Sequence, residues 1–223
     1  MHLAVDIDGT LTRGDGSGAA DPRVFEPLRA AESVVVCTGK VLPNANALCT
    51  YVGIEPNAVS ETGGVTYADG DVEFHVPDED IEDFLDDYAP DGDLGWGPTD
   101  LVNRWRETEV AVARDRDRDE IERVAERHGL EVLDTGYAYH VKSADVDKGQ
   151  GLAAVAEALG LDASEFVAVG DSENDVHTFE CAGVSYAVAN ADEAAHEAAE
   201  YVTDAAYAEG FVEAIERERE RLG

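Results

Sequence analysis

Four short segments of the chain combine carboxylates, hydroxyls and a lysine in patterns that suit phosphate and metal chemistry. Residues 6–10 read Asp-Ile-Asp-Gly-Thr, and residues 38–40 read Thr-Gly-Lys. Lys148 precedes a helical pattern, and residues 170–175 read Gly-Asp-Ser-Glu-Asn-Asp. Taken alone, each segment has an ordinary structural explanation as a turn, a helix cap or a surface charge.

Two pairs of acids predict a metal site. Asp6 and Asp8 stand at the end of a predicted strand, where the chain leaves the pleat and both carboxylates can converge on one ligand. Close carboxylates repel each other unless a cation neutralises them, and hard oxygen ligands suit Mg²⁺. Asp171 and Asp175 follow another apolar run and are spaced so that both can point at one cation.

Thr38, Gly39 and Lys148 suit an anion. A hydroxyl and free backbone N–H groups at the start of a helix bind anions such as phosphate. A lysine at a helix N-terminus opposes the helix dipole, so its placement favours an anion nearby. The chain holds only three lysines among 16 basic residues, which makes this placement more informative. An ordinary helix cap and a surface lysine remain the alternatives.

Apolar runs alternate with helical patterns at both ends of the chain, which predicts the α/β class with a doubly wound parallel-sheet core. The stretch between them predicts a hairpin, two helices and antiparallel strands, typical of an inserted α+β module. We therefore predict a core of residues 1–62 and 144–223 and an insert of residues 63–143. The four chemical segments then fall at the carboxyl ends of parallel strands, where open α/β sheets place their sites.

The composition narrows the partners. With 50 acidic and 16 basic residues the net charge is −34, which argues against nucleic acid and anionic membrane as partners. A hydrophobic fraction of 44% favours a folded protein that works in concentrated salt over a disordered acidic chain. The sequence shows no signal-peptide pattern and no membrane span, so we expect a cytoplasmic protein, as a monomer or a homodimer.

The order D-x-D-G-T, T-G, K and G-D-x-x-N-D resembles the haloacid dehalogenase-like phosphatase superfamily over the whole chain. The insert resembles the type-2 cap of Cof-like sugar phosphatases and sucrose-phosphate phosphatases. The short chain with its compact cap is most similar to the archaeal phosphoglycolate phosphatase branch. One position departs from the pattern: the second motif often continues with Arg, whereas this chain has Lys40, whose role stays open.

The resemblance implies a Rossmann-like core, Mg²⁺ as cofactor and a small phosphorylated metabolite as substrate. Asp6 would be the nucleophile that forms an aspartyl-phosphate, and Asp8 the general acid and base. The implied metal ligands are Asp6, Asp8 through its backbone carbonyl, Asp171 and Asp175. The implied phosphate-binding residues are Thr38, Gly39, Lys148 and Asn174.

The substrate is the least determined part of this prediction. The resemblance suggests 2-phosphoglycolate, and one basic group of the insert would then meet its carboxylate. The candidates are Arg104, Arg106, His140 and Lys142. A Cof-like sugar phosphatase and a phosphomutase remain open, because they use the same motifs. A non-catalytic module would be expected to have lost a motif acid, and none is missing.

Overall fold

The computed structural model describes residues 1–76 and 78–223. Eleven strands lie in this part of the chain. They are β1 (His2–Val5), β2 (Ser33–Cys37), β3 (Ala58–Ser60), β4 (Val65–Ala68), β5 (Asp71–Phe74), β6 (Glu109–Ala113), β7 (Leu130–Asp134), β8 (Ala138–Ser143), β9 (Phe166–Gly170), β10 (Val184–Ala187) and β11 (Tyr201–Val202).

Eight α-helices accompany the strands in the described residues. They are α1 (Phe25–Arg29), α2 (Leu42–Val52), α3 (Asp78–Tyr88), α4 (Arg118–Arg127), α5 (Lys148–Ala158), α6 (Val176–Cys181), α7 (Glu193–Ala198) and α8 (Tyr207–Leu222). Short 3-10 turns precede α1 and α6. The described helices include none that is both long enough and apolar enough to cross a membrane.

The main sheet has eight strands in the order β11-β10-β9-β1-β2-β3-β4-β5. The six strands from β11 to β3 run parallel, with β1 paired between β9 and β2. Val5 at the end of β1 stands opposite Val36 and Val169. The chain therefore leaves these three strands side by side, along one edge of the sheet.

Helices cover both faces of the sheet. Leu3 and Val5 point to one face and pack in a core that includes Phe211 of α8, while Ala4 points to the other and packs with Leu152 of α5. Because successive strand residues face opposite sides, a strand buried on both faces must be apolar throughout. The predicted α/β class with a doubly wound parallel sheet is confirmed.

A second sheet carries the cap. Strands β6, β8 and β7 pair antiparallel, and α3 and α4 pack on them through a separate core that includes Phe84, Ile121 and Val141. The hairpin of β4 and β5, which the sequence prediction placed in the insert, instead pairs antiparallel with β3 and extends the main sheet. Backbone hydrogen bonds between β4 and β3 therefore attach the hairpin to the main sheet rather than to the sheet of the cap. The domain limits stay a prediction.

Candidate active site

The predicted chemical segments come together at the carboxyl edge of the parallel strands. Asp6 follows β1, Thr38 follows β2 and Asp171 follows β9. The backbone N–H of Asp6 donates to Val169 O at 3.0 Å, so the exit of β1 is tied to that of β9. Side chains from both the main sheet and the cap line one cleft there, with a volume of about 730 Å³.

Lys148 pairs with the acids from behind the cleft, whose lining includes Asp6 but not Lys148. Its side chain is wholly buried, and Nζ donates to Asp6 Oδ1 at 2.8 Å, Asn174 Oδ1 at 2.6 Å and Asp175 Oδ1 at 2.7 Å. An ammonium has three protons, so all of its donors are used. Burial disfavours the charge, but the carboxylates of Asp175 and Asp6 outweigh it and raise the pKa of Lys148. The alternative of a surface lysine is therefore wrong.

Asp6 keeps one oxygen free for chemistry. Lys148 binds Oδ1, while no donor from residues 1–76 or 78–223 reaches Oδ2. Burial raises the pKa of Asp6 to about 7, and the neighbouring Asp175 adds to the shift, against the opposing charge of Lys148. A cation bound beside Asp6 would offset the repulsion from the neighbouring carboxylates and keep Asp6 ionised at neutral pH.

Three acids could hold a metal ion. Asp6, Asp171 and Asp175 each offer an oxygen, and these oxygens lie within 4.8 Å of one another. Burial, followed by the charge of Asp6, raises the pKa of Asp171 to about 9. Excess negative charge held out of water asks for a cation, and all-oxygen donors suit a hard divalent ion. The residues therefore fit Mg²⁺.

Asp171 and Asp175 differ in how many hydrogen bonds their carboxylates already accept. Asp175 Oδ2 already accepts from the backbone N–H groups of Asp171 and Ser172, at 3.0 and 3.2 Å. The Asp171 carboxylate, among the described residues, is held only by Thr10 Oγ1, at 3.3 Å. Asp175 therefore shapes the turn while its remaining lone pairs face the cluster, whereas Asp171 is the more available donor.

Glycines bring the two acidic segments close together. Gly9 has φ of +82°, and a Cβ there would lie 1.9 Å from Asp171 Oδ2. Any side chain at Gly9 would displace the carboxylate, so the glycine in the first motif has a packing reason besides its backbone conformation. Asn190 fixes the same loop, since its Nδ2 donates to Gly9 O at 3.0 Å. The sequence prediction assigned no role to Asn190 because nothing in its surroundings marks it.

Three of the four residues predicted to bind phosphate, Thr38, Gly39 and Asn174, line the cleft beside Asp6. Thr38 is buried, and its Oγ1 accepts from the N–H of Lys40 at 3.1 Å, which leaves the hydroxyl proton to donate. The N–H of Gly39 has no acceptor within the described residues. Asn174 accepts from Lys148 and Ser172 through Oδ1, so its amide N–H₂ is left for a ligand. These donors suit the oxygens of a phosphate.

The cap candidates separate into two groups. Arg106 and His140 line the cleft. Lys142 has a structural role, because its Nζ donates to Glu131 Oε1 and to the carbonyls of Ser143 and Val146 at 2.6 to 2.7 Å. Arg104 is exposed and does not line the cleft. The expectation that Lys142 or Arg104 could meet the substrate is therefore wrong for this arrangement.

Two buried acids where the cap meets the core escaped the sequence prediction. Glu61 adopts φ of +49°, and its Oε2 accepts from the backbone N–H groups of Glu107 and Thr108 at 2.9 and 2.8 Å. Glu109 opens β6 and binds Arg106 and His140. A charged residue at the head of the otherwise apolar β6 was the available signal for Glu109, whereas Glu61 offered none.

Comparison with known proteins agrees with this geometry. Residues 116–215 match the family described as haloacid dehalogenase-like hydrolase. Two archaeal proteins named phosphoglycolate phosphatase are similar over almost their whole length. The Natronomonas pharaonis protein is 51% identical, with 98% of this chain and 97% of the relative covered. The Halobacterium salinarum protein is 50% identical, with 97% and 96% covered.

A solved structure of a Thermoplasma acidophilum protein superposes with a TM-score of 0.84 at 26% identity, covering 98% of this chain and 97% of the other. The chain therefore belongs to the haloacid dehalogenase-like hydrolases, in the family of the archaeal phosphoglycolate phosphatases. Relatives from halophilic archaea also fit the strongly acidic composition.

Proposed function

We propose that this chain is a Mg²⁺-dependent phosphatase that hydrolyses 2-phosphoglycolate to glycolate and phosphate. The observation that carries the proposal is Asp6 at the floor of the cleft, paired with the buried Lys148 and with Oδ2 free. The similarity of the chain, over almost its full length, to relatives named phosphoglycolate phosphatase supports 2-phosphoglycolate as the substrate.

The residues divide the reaction between them. Asp6 Oδ2 attacks phosphorus, the bond from phosphorus to the ester oxygen breaks, and Asp8 gives its proton to the leaving glycolate oxygen. Asp8 then takes a proton from water as that water attacks the phosphorus of the aspartyl-phosphate. Phosphate leaves and the Asp6 carboxylate is restored. Thr38, Gly39 and Asn174 bind the phosphoryl oxygens, where negative charge accumulates. Lys148, whose three protons are donated to Asp6, Asn174 and Asp175, contributes its positive charge to phosphate binding from behind Asp6.

Asp6, Asp171, Asp175 and the backbone carbonyl of Asp8 would hold Mg²⁺. When bound, the ion supplies positive charge that offsets the repulsion between the carboxylate and the phosphate. Around it, Lys148 and Thr10 keep the acids in place. The cap excludes water from the leaving group and selects it. We further propose that the enzyme acts in the cytoplasm, as a monomer or a homodimer.

The experiment is ³¹P NMR of the protein with 2-phosphoglycolate and Mg²⁺ in concentrated salt, beside hexose phosphates. The proposal expects inorganic phosphate as the only new phosphorus signal, formed fastest from 2-phosphoglycolate. A phosphoryl group moved to another position of a sugar would instead identify a phosphomutase. Faster release from hexose phosphates would identify a Cof-like sugar phosphatase with the same chemistry.

A further inference from the structure

Glu109 is a buried carboxylate with two basic partners at the cap face of the cleft. Its Oε1 accepts from His140 Nδ1 at 2.8 Å and from Arg106 Nη1, and its Oε2 accepts from Thr62 Oγ1 at 3.0 Å. Burial alone would raise its pKa, but His140 and Arg106 outweigh burial and lower the pKa of Glu109 to about 2. Glu109 is thus a permanent acceptor at neutral pH.

This carboxylate orients the His140 ring. Because an ionised carboxylate can only accept, Nδ1 must donate to it, and Nε2 is the nitrogen left for another partner. Nε2 makes no hydrogen bond within the part of the chain whose side chains are described, and it is not among the buried polar atoms that lack a partner, so it keeps access to the cleft. A ring that is only 4% exposed therefore offers this one nitrogen to a ligand in the cleft.

The position of the ring identifies the side from which that ligand comes. His140 lines the cleft that also contains Asp6, and its Cε1 lies 3.6 Å from where a Cβ on Gly39 would stand. Arg106 reinforces this placement, because its Nη1 also donates to Gly39 O at 3.0 Å. The ring is therefore held directly above the segment that we assign to phosphate binding.

Charge identifies the ligand group. Arg106 and Glu109 neutralise each other, so an anion that binds at Nε2 is balanced by the ring itself. A carboxylate at Nε2 would accept a hydrogen bond from the ring, as that of Glu109 does at Nδ1. A sugar hydroxyl can also pair with Nε2, but it brings no charge and so gains less than a carboxylate from a charge-assisted hydrogen bond.

We propose that His140 Nε2 binds the carboxylate of the substrate, and that Glu109 is the residue that positions the ring. The inference rests on the proposed function, because a carboxylate next to a phosphate ester is what 2-phosphoglycolate offers. It makes the cap histidine the group that distinguishes an acidic leaving group from a neutral one.

The test compares 2-phosphoglycolate with ethyl phosphate, which has a methyl group in place of the carboxylate. His140→Asn keeps an amide near the position of Nδ1 for Glu109 and removes the Nε2 position. His140→Gln places an amide near Nε2 instead. His128→Asn is the matched control, because His128 pairs with Asp87 and does not line the cleft.

In the wild type, kcat/KM should favour 2-phosphoglycolate. His140→Asn should reduce the ratio of the two kcat/KM values by roughly tenfold to a hundredfold, as expected when a hydrogen bond to a charged group is lost. His140→Gln should recover part of the ratio, and His128→Asn should keep it. A folded His140→Asn protein that retains the wild-type ratio overturns the inference. A wild type without the preference overturns the proposed substrate instead.

Binding gives an independent readout for Glu109. Calorimetry with 3-phosphonopropionate and propylphosphonate, which differ by the carboxylate, reports recognition without turnover. Glu109→Gln should weaken binding of the first at least about tenfold more than binding of the second, because the ring loses its fixed acceptor. Equal weakening of both would assign Glu109 a purely structural role and overturn its part in the inference.

Discussion

Lys40 Nζ lies 2.7 Å from Asp8 Oδ2, across the mouth of the cleft. Lys40 occupies the position where the second motif often has arginine, and the sequence left its role open. The ion pair gives Lys40 a role, because it holds Asp8, the proposed general acid and base, on the side of the cleft that faces Gly39. Both side chains are partly exposed, with 37% and 53% of their surface accessible, so solvent screens the pair.

Replacing Lys40 with Met should therefore have a modest effect on turnover. We expect kcat to fall about twofold to fivefold, the range for an exposed ion pair, with KM changed less. The difference from wild type should shrink as salt is added, because salt screens the lost interaction. Steady-state kinetics at two salt concentrations measure both effects. A loss of hundredfold or more would instead place Lys40 in direct contact with the reacting phosphate.

Lys148→Met should be far more damaging. The substitution leaves Asp6 and Asp175 buried without their cation, and breaking a buried pair costs about 3–5 kcal/mol of unfolding free energy. Phosphate release should also be lost. Chemical denaturation and an activity assay measure the two effects, and Arg123→Met on the exposed face of α4 is the control. A variant as stable and as active as wild type would contradict the role of Lys148.

Stability without metal should depend on pH in an unusual direction. Asp6 and Asp171 have folded-state pKa values of about 7 and about 9, both above the reference value of 3.8. Between about pH 4 and 9 the folded protein therefore binds more protons than the unfolded chain, and its stability falls as pH rises. In EDTA, Tm should decrease from pH 5 to pH 9. A flat or rising Tm over this range would contradict the buried acidic cluster.

Added Mg²⁺ should reverse that loss, because an ion that binds only the folded state stabilises it. Asp171→Asn replaces a buried carboxyl that the fold must keep protonated at pH 8 with a neutral amide, so this variant should be more stable than wild type in EDTA at pH 8 and gain less from Mg²⁺. Asp71→Asn, on the exposed edge strand β5, is the matched control. An undiminished response of Asp171→Asn to Mg²⁺ would remove Asp171 from the metal site.

The main sheet was predictable because its strands are buried on both faces. In β2 the buried residues 34–37 must then all be apolar, and such runs stand out between helical patterns. The site was predictable for the same reason, since the motif residues follow those runs.

What the sequence did not show depends on pairing between distant residues. The hairpin of β4 and β5 was recognised as a hairpin, but its attachment to β3 depends on backbone hydrogen bonds that leave no pattern in the side chains. Glu61 binds backbone N–H groups of residues 107 and 108, which are remote in sequence. Likewise, nothing local told His140 from Lys142, although only His140 lines the cleft.

The net charge of −34 leads to a prediction about salt. Repulsion among surface carboxylates destabilises the compact state, and concentrated salt shortens the range of that repulsion to about 3 Å at 1 M. Tm should therefore rise between about 0.1 M and 3 M KCl. Scanning calorimetry at constant pH measures the change. A Tm that is independent of KCl would show that the acidic surface does not limit stability.

The central claim is that Asp6 receives the phosphoryl group of 2-phosphoglycolate. It is tested most directly by mixing the protein with ³²P-labelled 2-phosphoglycolate and Mg²⁺, quenching with acid within the first turnover, and mapping the label by peptide mass spectrometry. We expect one labelled peptide, with the phosphoryl group on Asp6, and no labelled peptide from a folded Asp6→Asn variant. Label on another residue, or turnover of Asp6→Asn within tenfold of wild type, would contradict it.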